Sequence, residues 1–197
     1  GPREDVLCAD EKTSIQARCR THPTQPPAPG RTMRVEHEYA RAGAWAYLAA
    51  WAVHRAKLFG RCARKTGTVP FEHLVAPVMS QEPYRSARRV FWIVDNGSAH
   101  RGQQARDRLQ ARWPNRVLVH TPIPASWLNQ IEISFSIVQR KGLTPNDFPS
   151  LAAVRDRLIR FQQHYEQVAT PIQWTFTRRD LVALLAKLGP KARRAVA

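Results

Sequence analysis

Five consecutive apolar residues, Val90-Phe91-Trp92-Ile93-Val94, run directly into Asp95-Asn96-Gly97. The run has the length of a strand, is too short for a helix, and is rich in β-branched and aromatic side chains. Apolar residues without alternation belong in a strand covered on both faces. A chain with such a strand must put layers on both sides of a sheet, which confines it to α/β architectures. Other segments agree. Val6–Ala9 is a second apolar run, ends in Asp10, and is extended by Ser14–Arg20. Ala44–Val53 reads as a strand, with Trp45, Tyr47 and Trp51 at even spacing, and Ala56–Cys62 as its hairpin partner. Val117–Val119 is a further short strand. Helices are expected at Phe71–Met79, Ala99–Arg112, Ser126–Arg140 (with Ser126 as N-cap), Leu151–Val168 and Leu181–Leu188. Pro23, Pro26, Pro27, Pro29 and Gly30 make Thr21–Arg34 an exposed loop. The expected fold is α/β with a central mixed sheet. In such sheets sites gather at the carboxyl ends of central strands.

Charge narrows the partners. Lys and Arg number 31 against 15 Asp and Glu, a net +16. Arg-favouring codon usage accounts for part of this excess but not for the scarcity of acids. A field of that sign attracts polyanions, nucleic acid first among them. The three cysteines, Cys8, Cys19 and Cys62, have no Cys-x-x-Cys spacing, which argues against a disulfide framework or a thiolate zinc site and fits a reducing cytoplasm. The longest apolar stretch, Ala44–Val53, is about half of a membrane span.

Two apolar strands therefore end in aspartate, Asp10 and Asp95. Side by side and parallel, they would deliver both carboxylates to one sheet edge, where the pair stays ionised only around a cation. Hard oxygen ligands select Mg²⁺ or Mn²⁺. A third carboxylate, Glu132, shares a polar helix face with Asn129, Ser136 and Arg140, beside a stripe of Leu128, Ile131, Phe135 and Val138. Plainer readings stand beside these. Asp95-Asn96-Gly97 is good turn chemistry, Asp10 can pair with Lys12, and a lone Glu beside an apolar stripe is usually solvated.

The segments "VDNGSAH", "HTPIPASWLNQIEISFSIVQRKGLTPNDFPSL" and "LCADEKTSIQA" closely resemble the catalytic domain of bacterial IS630-type transposases, in the Tc1/mariner group. The block Ser126, Trp127, Leu128, Asn129, Gln130 and Glu132 is the most specific part, and the similarity runs from about Val6 to Leu188. The resemblance implies an RNase H-like (retroviral-integrase-like) fold with a five-stranded mixed sheet. It also implies a DDE triad of Asp10, Asp95 and Glu132, with 36 residues between the last two. It further implies two Mg²⁺ or Mn²⁺ ions held by those residues, and in-line cleavage and strand transfer of DNA at element ends and targets. His100 and Asn129 are supporting candidates; Lys12, Arg140 and Lys141 are candidates for phosphate contacts. Trp127 is read as core or as a platform for stacked bases. Arg55, Lys57, Arg61, Arg64 and Lys65 crowd one hairpin and read as a DNA-facing or solvated edge.

Residues 1–190 are expected to form the catalytic domain, with a Pro-rich extension at 18–40 and a basic tail at 191–197. Relatives carry an N-terminal helix-turn-helix domain for which no region fits here, so a truncated element is expected. The resemblance implies a homodimer on DNA, without a legible interface, and a cytoplasmic, nucleoid-associated protein. The competing readings are an inactive remnant, another RNase H-like nuclease and a basic DNA-binding module.

Overall fold

The computed structural model describes residues 4–97, 103–122, 126–175 and 177–187. Strands β1 (Glu4–Arg20), β2 (Tyr39–Ala52) and β3 (Lys57–Ala63) form an antiparallel meander. After helix α1 (Thr68–Met79), strand β4 (Arg89–Val94) returns parallel to β1 on its other side. Helix α2 (Gln103–Arg112) leads to β5 (Arg116–His120), parallel to β4. The sheet order is β3-β2-β1-β4-β5. Helices α3 (Ile131–Ile137), α4 (Leu151–Val168) and α5 (Arg178–Lys187) follow. This is the expected mixed sheet.

Side-chain alternation divides the core into two layers. Leu7, Ala9, Leu48, Ala50, Trp92 and Val94 pack on one face with Phe71, Leu74, Val75 and Val78 of α1 and Leu109 of α2. Cys8, Tyr47, Ala49 and Trp51 pack on the other with Ile131 and Phe135 of α3 and Val154 and Leu158 of α4. In β2 every residue from Ala46 to Ala52 is buried, because both layers cover it. The run in β4 is covered less evenly. Val90, Trp92 and Val94 are fully buried, while Phe91 and Ile93 are half-buried. Helices α3 and α4 pack over β1–β3, which leaves the β4 part of that face more open.

The extension of β1 through Ser14–Arg20 is real, with register shifts between Lys12 and Ile15 and between Gln16 and Arg18. The strands take in residues 18–20 and 39–40 of the expected extension, and Thr21–Arg34 is an exposed loop closed by bridges Gln25–Arg34 and Ala28–Arg31. The expected single helix Ser126–Arg140 is instead three pieces: a 3₁₀ turn at Ser126–Leu128, α3, and a π-helical turn at Val138–Gly142. Asn129 makes the first break. Its side chain bonds backbone groups and competes with helix continuation. Ser126 lies within the 3₁₀ turn, and the N-cap of α3 is Gln130. Leu128 is 47% exposed and leaves the stripe of Ile131, Phe135 and Val138.

Candidate active site

Asp10 follows Cys8 at the next same-facing position of β1, and Asp95 follows Ile93 in β4. The parallel register sets Cys8 opposite Ile93, so two residues on it brings Asp10 beside Asp95. Both Cys8 and Ile93 belong to the core layer under α3, so both aspartates emerge on that face. Asp95 follows the carboxyl end of β4, whereas Asp10, expected at a strand end, lies within β1, because pairing with β2 carries that strand on to Arg20. Burial pushes the Asp10 carboxyl up to about 7. The Glu11 N–H, donating to Oδ1 at 2.7 Å, works against this, and the negative charge of Asp95 adds to the rise. The Gly97 N–H donates to Asp95 Oδ1 at 2.8 Å, a turn that fixes the second carboxylate. Turn residue and site residue are thus one reading of Asp95.

The edge is braced from β5. His120 Nδ1 donates to the Asp95 carbonyl at 3.0 Å, and Asn96 Nδ2 donates to the Thr121 carbonyl at 2.5 Å. His120 was not among the sequence candidates. The signal was present, since Val117–Val119 is a third apolar run ending in a polar residue at the same sheet edge.

Asn129 supplies the link to the helix. It is 1% exposed, not part of a solvated face, and its Nδ2 donates to the Ala9 carbonyl at 2.9 Å. Its Oδ1 accepts from the Ile131 N–H at 3.4 Å. The side chain therefore ties the start of α3 to the residue before Asp10. Glu132, exposed in the first turn of α3, lines a cleft of about 350 Å³ with Lys12, Phe135, Ser136, Gln139 and Arg140. Lys12 makes no ion pair with Asp10; it is on the cleft wall. Lys141 is exposed in the π turn. Trp127 is 70% exposed, so it is not a core residue. His100 lies outside the described residues.

The fold thus brings Asp10 and Asp95 together and sets Glu132 on the helix above that face. Among the described residues, no three His, Cys, Asp or Glu side chains form a ready-made metal-holding group. The donor chemistry nevertheless fits a hard divalent cation. The candidates are carboxylate oxygens, and Asp10, raised chiefly by burial and further by the charge of Asp95, is a group that a neighbouring cation would favour in its ionised form. The hairpin arginines divide differently than expected. Arg55 donates from Nε and Nη2 to the fully buried Asp5 at 3.0 and 2.8 Å, and the Arg64 guanidinium stacks 4.6 Å from the centre of the Trp45 ring. Arg55 is a structural residue at the opposite end of β1. Among the described residues, no helix is long and apolar enough to cross a membrane.

Known structures place this fold. The Mos1 mariner paired end complex with Mn matches with a TM-score of 0.57 at 15% identity, covering 83% of this chain and 51% of that one. A pre-cleavage Mos1 transpososome gives 0.58 at 14%, again over 83% and 51%. The catalytic domain of Mos1 mariner transposase gives 0.56 at 13%, over 83% of this chain and 74% of that one. The chain spans about half the length of the Mos1 chains in the first two complexes. The likeness is one of fold, the RNase H-like sheet with helices on both faces. No curated protein matches the sequence. Residues 5–155, well over half of the chain, match the family described as DDE superfamily endonuclease, and these residues contain Asp10, Asp95, Asn129 and Glu132. The chain belongs to the DDE superfamily endonuclease family.

Proposed function

We propose that this chain is the catalytic domain of an IS630-type transposase, which cuts DNA at element ends and joins them to target DNA in the cytoplasm, at the nucleoid. Asp10, Asp95 and Glu132 hold Mg²⁺ or Mn²⁺, two ions in the full complex with DNA. The observation that carries the reading is the pair of aspartates side by side on the adjacent parallel strands β1 and β4, under the helix that bears Glu132. Bound there, the metal supplies Lewis-acid polarisation of the scissile phosphate and of the attacking hydroxyl.

The chain's own residues do the rest. Asp10 and Asp95, set on a rigid sheet, fix where the metal sits. Asn129 holds the first turn of α3 so that Glu132 can close on the same point. The reaction is an in-line displacement at phosphorus. The attacking oxygen bonds to phosphorus, the phosphodiester bond to the leaving oxygen breaks, and a 3′-hydroxyl is released that attacks the target in the second step. No covalent protein–DNA bond forms, so no serine or tyrosine nucleophile is needed. Lys12, Arg140 and Lys141 neutralise backbone phosphates along the cleft. Trp127, exposed in the 3₁₀ turn that precedes α3, offers a face on which a base can stack. A homodimer assembles on the DNA.

The test is Mn²⁺-dependent nicking of supercoiled plasmid by the chain, with D95N and E132Q in parallel. The expected outcome is nicking by the parent that falls at least about 100-fold in either variant, a loss of roughly 3 kcal/mol of transition-state stabilisation. DNA binding without nicking by the parent would favour a binding module. Nicking that survives both substitutions would sink the triad.

A further inference from the structure

The β1–β2 ribbon runs on beyond Asp10, and its outer part concentrates charge. In its register Arg18 lies directly opposite Arg41, and Arg20 directly opposite Tyr39. Directly paired residues share a face of the ribbon. Three guanidinium groups accordingly crowd one phenol ring: the Cζ atoms of Arg18, Arg20 and Arg41 lie 4.5, 5.1 and 5.9 Å from the Tyr39 centroid. A hydrogen bond from Arg41, and then the charge of Arg18, hold the Tyr39 hydroxyl below its usual range.

Like charges directly opposite each other destabilise a strand pair. The nearby acids do not relieve this. Asp147 accepts from the Arg20 backbone N–H and from Thr24, and the Glu36 carboxylate accepts from the backbone of His37 and Glu38. Among the described residues, no carboxylate forms an ion pair with Arg18, Arg20 or Arg41. Arg20 is instead anchored through Nη1 to the carbonyls of Glu36 and His37, which fixes the root of the Pro-rich loop. The cluster is thus pre-organised, positive and without an internal counter-charge. Planar guanidinium groups already stacked on an aromatic ring lose little entropy on binding phosphate oxygens.

We propose that the face formed by Arg18, Arg20, Tyr39 and Arg41 grips the backbone of duplex DNA at a distance from the point of cleavage. Arg18 is eight residues beyond Asp10 on the same strand. At roughly 3.3 Å per residue, less the two irregularities, that is about 25 Å, or about seven base pairs from the cut phosphate. The ribbon and the cleft then hold one duplex at two points. The inference rests on the reading that DNA is the substrate.

The experiment is binding of a 30-base-pair duplex to the full chain by fluorescence anisotropy, in EDTA so that metal occupancy plays no part, across a salt series. The ribbon variant R18Q/R41Q is compared with R88Q/R160Q, which removes the same charge from exposed positions elsewhere. The ribbon variant should bind on the order of tenfold more weakly near physiological salt, with its log K against log salt slope shallower by about two. The control should change little. R41Q alone, at an exposed position, should lower the slope by about one and serves if the double variant does not fold. Equal behaviour of ribbon and control variants would overturn this proposal and leave the DNA reading standing. A parent chain that binds no duplex would overturn both.

Discussion

A carboxyl group pushed up to about 7 holds, in the folded chain, a proton that it has lost in the unfolded chain at the same pH. Between its ordinary value of 3.8 and about 7, the folded state binds more protons than the unfolded state, so stability falls as pH rises through that window. Asp10 is in this position because the fold buries it beside Asp95. On the proposed reading, that conflict is what a bound cation would relieve. D10N removes the group that titrates. Without divalent metal, D10N should melt higher than the parent at pH 8, and the gap should close toward pH 5. Mn²⁺ should raise the melting temperature of the parent increasingly from pH 5 to pH 8, as the ion displaces the proton, and should do little for D10N. Thermal melts at the two pH values check both statements. A parent whose metal-free stability is flat across this range would show that Asp10 is not raised.

At the level of elements, α3 depends on one side chain. Asn129 accepts from the Ile131 N–H at the start of the helix and ties that start to the carbonyl of Ala9. N129A removes a buried donor and leaves that carbonyl unmatched, which costs about 1–3 kcal/mol. Because Glu132 is one turn further on, N129A should also slow nicking by about tenfold or more while leaving the dissociation constant for DNA unchanged. A loss of binding in step with nicking would mean that the side chain only supports folding. Periodicity in the sequence identified the helix and the acid and set Asn129 on the same polar face, but could not show that Asn129 is buried, since residues beside a buried stripe look alike whether they meet water or a strand. It also merged three helical pieces into one, because the broken segment keeps apolar residues at helical spacing. Strands were easier to read. Their apolar runs are short, bounded by turn residues, and covered by helices whose own stripes are legible. The placement of Asp10 beside Asp95 followed from the ends of two apolar runs on the condition that their strands are parallel neighbours, which the sheet topology alone supplies. The bracing by His120 likewise required the order of β4 and β5, which periodicity does not contain.

Across the whole molecule, β1 carries a candidate site residue in its middle and a buried ion pair at its amino end. Asp10 lies five residues beyond Asp5, which, with no exposed surface, accepts from Arg55 and lies 3.1 Å from His54 Nε2. Breaking a buried pair destabilises chiefly through the charge left behind, by about 3–5 kcal/mol. The two partners here are not equivalent. The Arg55 side chain is 34% exposed and can turn to water when Asp5 is removed, whereas Asp5 is fully buried and keeps only His54 when Arg55 is removed. R55A should therefore lower the urea midpoint more than D5A, with R55A near the full range and D5A below it. Neither change touches the cleft, so both variants, assayed well below their melting temperatures, should retain the parent's Mn²⁺-dependent nicking per folded molecule. Equal destabilisation by the two would mean that the pair is better hydrated than its geometry implies. Loss of nicking by a folded D5A would mean that Asp5 and Asp10 are coupled along β1, and that the sheet passes strain from the buried ion pair to the cleft.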